Sequence, residues 1–126
     1  MARILCVDDD ENAVVLKKTI LENAGHVVES CESVDEAVLE LGRHRYDAVV
    51  TDWRLGEASG RSIVQAARET SGVPVVVVSG YVSEAYQAAR PLADLYLQKP
   101  VDPRELVQVL STLLEARGDG ADEFQA

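Results

Sequence analysis

Long apolar runs are missing from this chain. No stretch approaches the roughly 18 residues that cross a bilayer. The run Ile4-Leu5-Cys6-Val7 is too short for a secretory leader and leads straight into acids. Cysteine is scarce: Cys6 and Cys31 are the only two, too few for a disulfide framework. Cys6 lies in a strand-like apolar run and reads as an inert buried thiol, so a reducing, cytoplasmic setting is expected. Basic charge is also short. Twelve Lys and Arg stand against 22 Asp and Glu, for a net charge of −10. A surface of that sign repels nucleic acid and anionic membranes, which argues against direct contact with either. A cation, or a partner with a basic face, remains compatible with it.

What is present is an alternation. The chain has 126 residues, enough for one compact domain with a single core. Strand-like runs are Arg3 to Val7, His26 to Ser30, Asp47 to Thr51, Pro74 to Val78 and Leu95 to Gln98. Between them lie helical patterns: Ala13 to Asn23 with Gly25 just past its end, Val34-Ala37-Val38-Leu41, Ile63-Val64-Ala66-Ala67 after a Gly56 to Gly60 loop, and a short Glu84 to Arg90 helix stopped before Pro91. Leu106, Val109, Leu110, Leu113 and Leu114 form the face of a final helix. Five strands alternating with five helices predict an α/β fold of βαβ units around a parallel sheet. The central strands are near-continuously apolar, as expected where helices cover both faces. The domain is expected to span residues 1–117, and 118–126 to form an acidic, frayed tail.

The informative residues follow the strands. Asp8, Asp9 and Asp10 follow the first, Asp52 the third, Ser79 the fourth and Lys99 the fifth. Open α/β sheets bind ligands beyond the carboxyl ends of their strands, so this order gathers carboxylates, a hydroxyl and an ammonium into one crevice. Crowded carboxylates repel. A hard cation such as Mg²⁺, which takes carboxylate and phosphate oxygens, relieves that repulsion. A carboxylate can also accept a phosphoryl group as an aspartyl phosphate, with Mg²⁺ and Lys99 neutralising charge and Ser79 hydrogen-bonding a phosphoryl oxygen.

The stretches Val7-Asp8-Asp9-Asp10, Tyr46-Asp47-Ala48-Val49-Val50-Thr51-Asp52, Ser79-Gly80-Tyr81 and Gln98-Lys99-Pro100 resemble the response-regulator receiver domains of two-component signal transduction, over roughly residues 2 to 117. The resemblance implies a flavodoxin-like (βα)5 doubly wound sheet of order 2-1-3-4-5. It implies that Asp52 is the phosphoacceptor and that Asp8 and Asp9 form the acidic pair, Asp9 being the direct Mg²⁺ ligand. The backbone carbonyl of Arg54 would complete the protein ligands. Ser79 and Lys99 correspond to the family's hydroxyl and lysine, and Ser79 and Tyr96 to its switch pair. Arg54 and Tyr81 take the positions that tune phosphoryl lifetime, and the Lys99–Pro100 bond is implied to be cis. The implied partners are a histidine kinase or phosphotransfer domain and a downstream protein. The signalling face combines the Glu84 to Arg90 helix, the Leu95 to Gln98 strand and the final helix, in a monomer or a weak homodimer. Two positions depart from the family pattern: Gly56 stands where Pro is common, and Pro91 interrupts the helix after Ser79.

Other readings are weaker. Asp8-x-Asp10-x-Asn12 opens like a calcium loop, but Ala13 and Thr19 replace its Gly and Glu. A haloacid-dehalogenase-like phosphatase would need Thr or Val where Asn12 stands. A flavin carrier needs a hydroxyl-rich phosphate loop, not three aspartates. Asp10 and Glu11 fit helix-start roles. Trp53 reads equally as surface cover or as a shield for the site, and His26 and His44 lie outside the crevice. The expectation is a signalling phosphoacceptor rather than a turnover enzyme, either free-standing or a module of a hybrid kinase or larger regulator.

Overall fold

The structure, a computed structural model, describes residues 2–55, 58–80 and 93–125, with side chains of the last helix described through Ala116. Strands β1 (Arg3–Val7), β2 (Val27–Cys31), β3 (Ala48–Asp52), β6 (Val75–Ser79) and β7 (Leu95–Gln98) form one parallel sheet in the order β2-β1-β3-β6-β7. A two-residue antiparallel ladder between β4 (Arg54–Leu55) and β5 (Ala58–Ser59) stands apart. Leaving that ladder out of the count, the order is the expected 2-1-3-4-5. Helices α1 (Glu11–Asn23), α2 (Val34–Arg43), α3 (Arg61–Ser71) and a C-terminal helix (Pro103–Gln125) complete the described elements.

Alternation along each strand divides the core in two. Leu5, Val7, Val49, Val75 and Val77 face α2 and α3, where they meet Ala37, Leu41, Ile63, Val64 and Ala67. Ile4, Cys6, Val50, Val76 and Val78 face the other way and pack with Leu21 of α1 and with Leu106 and Leu110 of the C-terminal helix. Each of these side chains removes apolar area from water at about 25 cal/mol per Å². Both cysteines are free and buried, and burial pushes each thiol up to about 11, as expected of inert structural thiols.

Three strands start and end one residue later than the hydrophobic runs suggest. Asp47 and Pro74 are replaced as strand starts by Ala48 and Val75. The Asp47 side chain accepts from the Arg3 amide at 2.8 Å, and Pro74 has no N–H to give to a ladder. At the other ends the ladder takes in Asp52, opposite Val78, and Ser79, opposite Gln98. The two candidate site residues are thus fixed by strand pairing rather than sitting on loops. Gly25 (φ 96) and Gly72 (φ 65) end α1 and α3 in left-handed conformations that a Cβ would oppose. The C-terminal helix runs on past Arg117, so its backbone is helical through most of the stretch expected to fray. Helix propagation adds one hydrogen bond per residue, and Ala121, Asp122 and Glu123 follow the two glycines. The Glu84 to Arg90 helix, Pro91, Tyr81 and Gly56 lie outside the described residues.

Gly60, which precedes α3, is required for space. A Cβ there would stand 2.6 Å from the Asp52 carbonyl oxygen, a backbone atom. Gly60→Ala is expected to lower stability by about 1–3 kcal/mol, as overpacking does. Gly42→Ala, inside α2 with nothing within 4 Å, is expected to be neutral or to stabilise by about 0.5–1 kcal/mol. Urea midpoints of the two variants check this, and equal effects would refute the close approach.

Candidate functional site

The carboxyl ends of β1, β3, β6 and β7 bring the candidates together. Asp8, one residue past β1, has 0% exposure, and its backbone amide donates to the Cys31 carbonyl at 3.2 Å. Asp52 ends β3 and is also buried. Asp9 is exposed. One carboxylate oxygen from each of the three lies within 4.8 Å of the others. The Lys99 ammonium donates to Asp52 Oδ2 at 2.6 Å and stands 4.0 Å from Asp8 Oδ2. Ser79, buried at the end of β6, accepts from the Lys99 amide through its backbone carbonyl at 2.9 Å, which ties the hydroxyl-bearing strand to the lysine. The Lys99–Pro100 bond is cis.

Other expected site residues surround this group. The Arg54 amide donates to Asp52 Oδ1 at 3.4 Å, with Arg54 opening the short ladder. Tyr96 pairs with Val77 in β7 and packs partly buried against the core on the α2–α3 side. Trp53, left open between surface cover and site shield, is buried in that same core. It therefore anchors the turn after Asp52 from below. Asp10 caps α1, its Oδ1 accepting from the Asn12 and Ala13 amides at 3.0 and 3.4 Å. His26 accepts from the Ala2 amide at 3.2 Å, away from the site.

One member of the site was absent from the sequence reading. Lys17 lies on the buried face of α1 between Val14 and Leu21 and is itself 5% exposed. Its ammonium donates to Asp8 Oδ2 at 2.7 Å. The signal in the sequence was a lysine at i+3 in an apolar i, i+3, i+7 stripe, pointing toward strand-end acids.

The charges are thus three carboxylates and two ammoniums. Burial pushes the Asp8 carboxyl up. The Lys17 hydrogen bond, the Asp10 amide and the charges of Lys17 and Lys99 outweigh it and hold the group below its ordinary 3.8. A depressed carboxyl contributes stability that is present above the unfolded value and is lost as pH falls through the folded one. The stability difference between wild type and Asp8→Asn, in chelator, should therefore stay flat from neutral pH to about 4 and shrink only below it. The difference isolates Asp8 from His26, whose ordinary 6.5 is lowered by burial and by the N-terminal charge. A difference that shrinks above about pH 5 would refute the Asp8 assignment. For Lys99, burial opposes the charge, but the hydrogen bond and the charges of Asp52, Asp8 and Asp9 raise it above 10.5, so its contribution is lost only as alkali passes that raised value.

Known proteins share this fold. The response regulator receiver domain family matches residues 4–111. The chain belongs to that family. A receiver domain protein (CheY-like) from Methanospirillum hungatei JF-1 superposes with a TM-score of 0.86 at 28% identity, covering 95% of this chain and 98% of that one. The response regulator TrrA of Thermotoga maritima, solved in complex with Mg²⁺ and BeF, superposes at 0.83 with 26% identity, covering 90% and 99%. The transcriptional regulatory protein GlrR of Escherichia coli K12 is 30% identical over 125 residues, 97% of this chain. This chain spans only 28% of the length of GlrR. No helix among the described residues is long and apolar enough to cross a membrane.

Proposed function

We propose that this receiver domain takes a phosphoryl group onto Asp52 from a histidine kinase or phosphotransfer domain and then changes its affinity for a downstream protein. The observation that carries the reading is the Asp8–Asp9–Asp52 cluster with Lys99 bonded to Asp52 at 2.6 Å. An oxygen of Asp52 forms the new O–P bond while the bond from phosphorus to the donor breaks, its electron pair leaving with the donor. Strand pairing holds Asp52 in place for that attack. Lys99 faces the charge on the transferred oxygens, and the Ser79 hydroxyl serves as the phosphoryl hydrogen-bond donor.

The donor set fits a hard divalent cation, since oxygen ligands are what Mg²⁺ takes. Asp9, Asp52 and the Arg54 carbonyl would hold it, with Asp8 beside them. When bound, the ion neutralises carboxylate and phosphoryl charge. The Mg²⁺ and BeF in the TrrA structure support this assignment.

Ser79, which ends β6, and Tyr96, inside the paired strand β7, would carry the change to the face formed by β7 and the C-terminal helix. That face would dock the downstream partner or a second copy. Arg54 and Tyr81 would guard the water path to the phosphorus and so set the lifetime. The chain acts as a signalling phosphoacceptor, not as a turnover enzyme, in the cytoplasm.

The test is intact mass after treatment with acetyl phosphate. One phosphoryl group should add with Mg²⁺ and none in chelator. Equal addition in both would refute the metal-assisted reading, and no addition in either would refute the phosphoacceptor reading.

A further inference from the structure

The buried face of α1 should be apolar. Val14 and Leu21 are, and an apolar side chain at position 17 would continue the same stripe. Lysine stands there instead, 5% exposed, with its ammonium 2.7 Å from Asp8 Oδ2. A buried ion pair is weak evidence for a stabilising role, because well-packed apolar residues often do as well or better. The placement invites a functional account.

The two lysines at the acids differ in one respect. The Lys99 side chain is 37% exposed and can turn its ammonium toward water or toward an arriving phosphoryl group. The Lys17 side chain is only 7% exposed. Its partner oxygen, Asp8 Oδ2, is also the one nearest Lys99, while Asp8 Oδ1 accepts from the Asp10 amide at 3.0 Å. Both oxygens of Asp8 are therefore engaged by donors belonging to the chain itself.

We propose that Lys17 is a built-in counter-cation of the acidic site, a positioning residue that competes with the divalent metal for Asp8. It lowers the site's metal affinity and keeps the acids tolerable to one another when no metal is bound. The inference rests on the reading of Asp8, Asp9 and Asp52 as the metal site. A cation held by oxygens that lie within 4.8 Å of each other stands a few ångströms from an ammonium that cannot withdraw into solvent. Repulsion between a unit and a double charge at such range, even when strongly damped, is enough to raise the dissociation constant about tenfold or more. The fixed ammonium also holds Asp8 in one orientation, so a metal arriving at Asp9 and Asp52 meets a carboxylate already turned inward.

The test is Mg²⁺ titration by calorimetry on wild type, Lys17→Met, Lys17→Arg and Asp9→Asn. Lys17→Met should bind Mg²⁺ about tenfold more tightly or better, Lys17→Arg should bind like wild type, and Asp9→Asn should lose the heat. The Mg²⁺-induced rise in melting temperature should also be larger for Lys17→Met than for wild type. A Lys17→Met affinity equal to or weaker than wild type, with Asp9→Asn silent, overturns the role of Lys17 and leaves the metal site standing. No binding in wild type or in Lys17→Met overturns the metal site and this inference with it. Wild type alone supplies a second readout if Lys17→Met folds poorly. The Lys17 side-chain ammonium resonance should move as Mg²⁺ saturates the site, and an unmoved resonance at saturation overturns the proposal.

Discussion

Asparagine at position 52 will leave the protein unlabelled by acetyl phosphate and Mg²⁺, with a rate at least about a thousandfold below wild type, or about 4 kcal/mol of barrier. The side chain keeps its shape but loses the anionic oxygen that attacks phosphorus. No neighbour is placed to substitute. Asp8 has both oxygens tied, to Lys17 and to the Asp10 amide. Asp9 is exposed, outside the strand pairing that fixes Asp52. Asp10 is committed to capping α1. The fold should survive, because Lys99 is exposed enough to be hydrated when its partner loses charge. The measurement is intact mass over time, with a circular dichroism melt as the check on folding. A folded Asp52→Asn protein that still gains one phosphoryl group would move the acceptor to another carboxylate.

The site was legible because βαβ topology turns strand ends into neighbours. Asp8, Asp52, Ser79 and Lys99 each follow an apolar run, so finding the runs was enough to place the residues together. The error was one of boundary: apolarity shows where a strand is buried, not where its ladder stops. Asp52 and Ser79 remain in the ladder although both are polar. Glycines at helix ends were equally legible at Gly25, whose conformation is local. Gly60 was not, because its requirement comes from the Asp52 carbonyl, eight residues away in sequence. Trp53 could not be assigned from the sequence, since a residue after a strand end can face solvent or fold back beneath the sheet. It does the latter. Lys17 was hidden by its type. Lysines on helices are usually solvated, and only the stripe it shares with Val14 and Leu21 marked it as buried.

That buried lysine should dominate the stability of the metal-free protein. In chelator, Lys17→Met will cost about 3 kcal/mol, since removing one partner of a buried pair leaves the other charge uncompensated. Asp8 has 0% exposure and cannot recover its hydration. Lys99, 4.0 Å away and already bonded to Asp52, offers only partial relief. Such a loss is a large share of the roughly 5–15 kcal/mol that holds a domain of this size together. Asp8→Asn in the same background should return at least about half of it. The neutral amide needs no counter-charge, and its oxygen can still accept from the Asp10 amide as Asp8 Oδ1 does. The coupling in a cycle of wild type, both single variants and the double variant should thus be at least about 1.5 kcal/mol. Urea unfolding of the four proteins, with a common slope, measures it. If the double variant loses the full sum of the two single losses, Lys17 and Asp8 act independently. The 2.7 Å contact would then be geometry without energetic consequence.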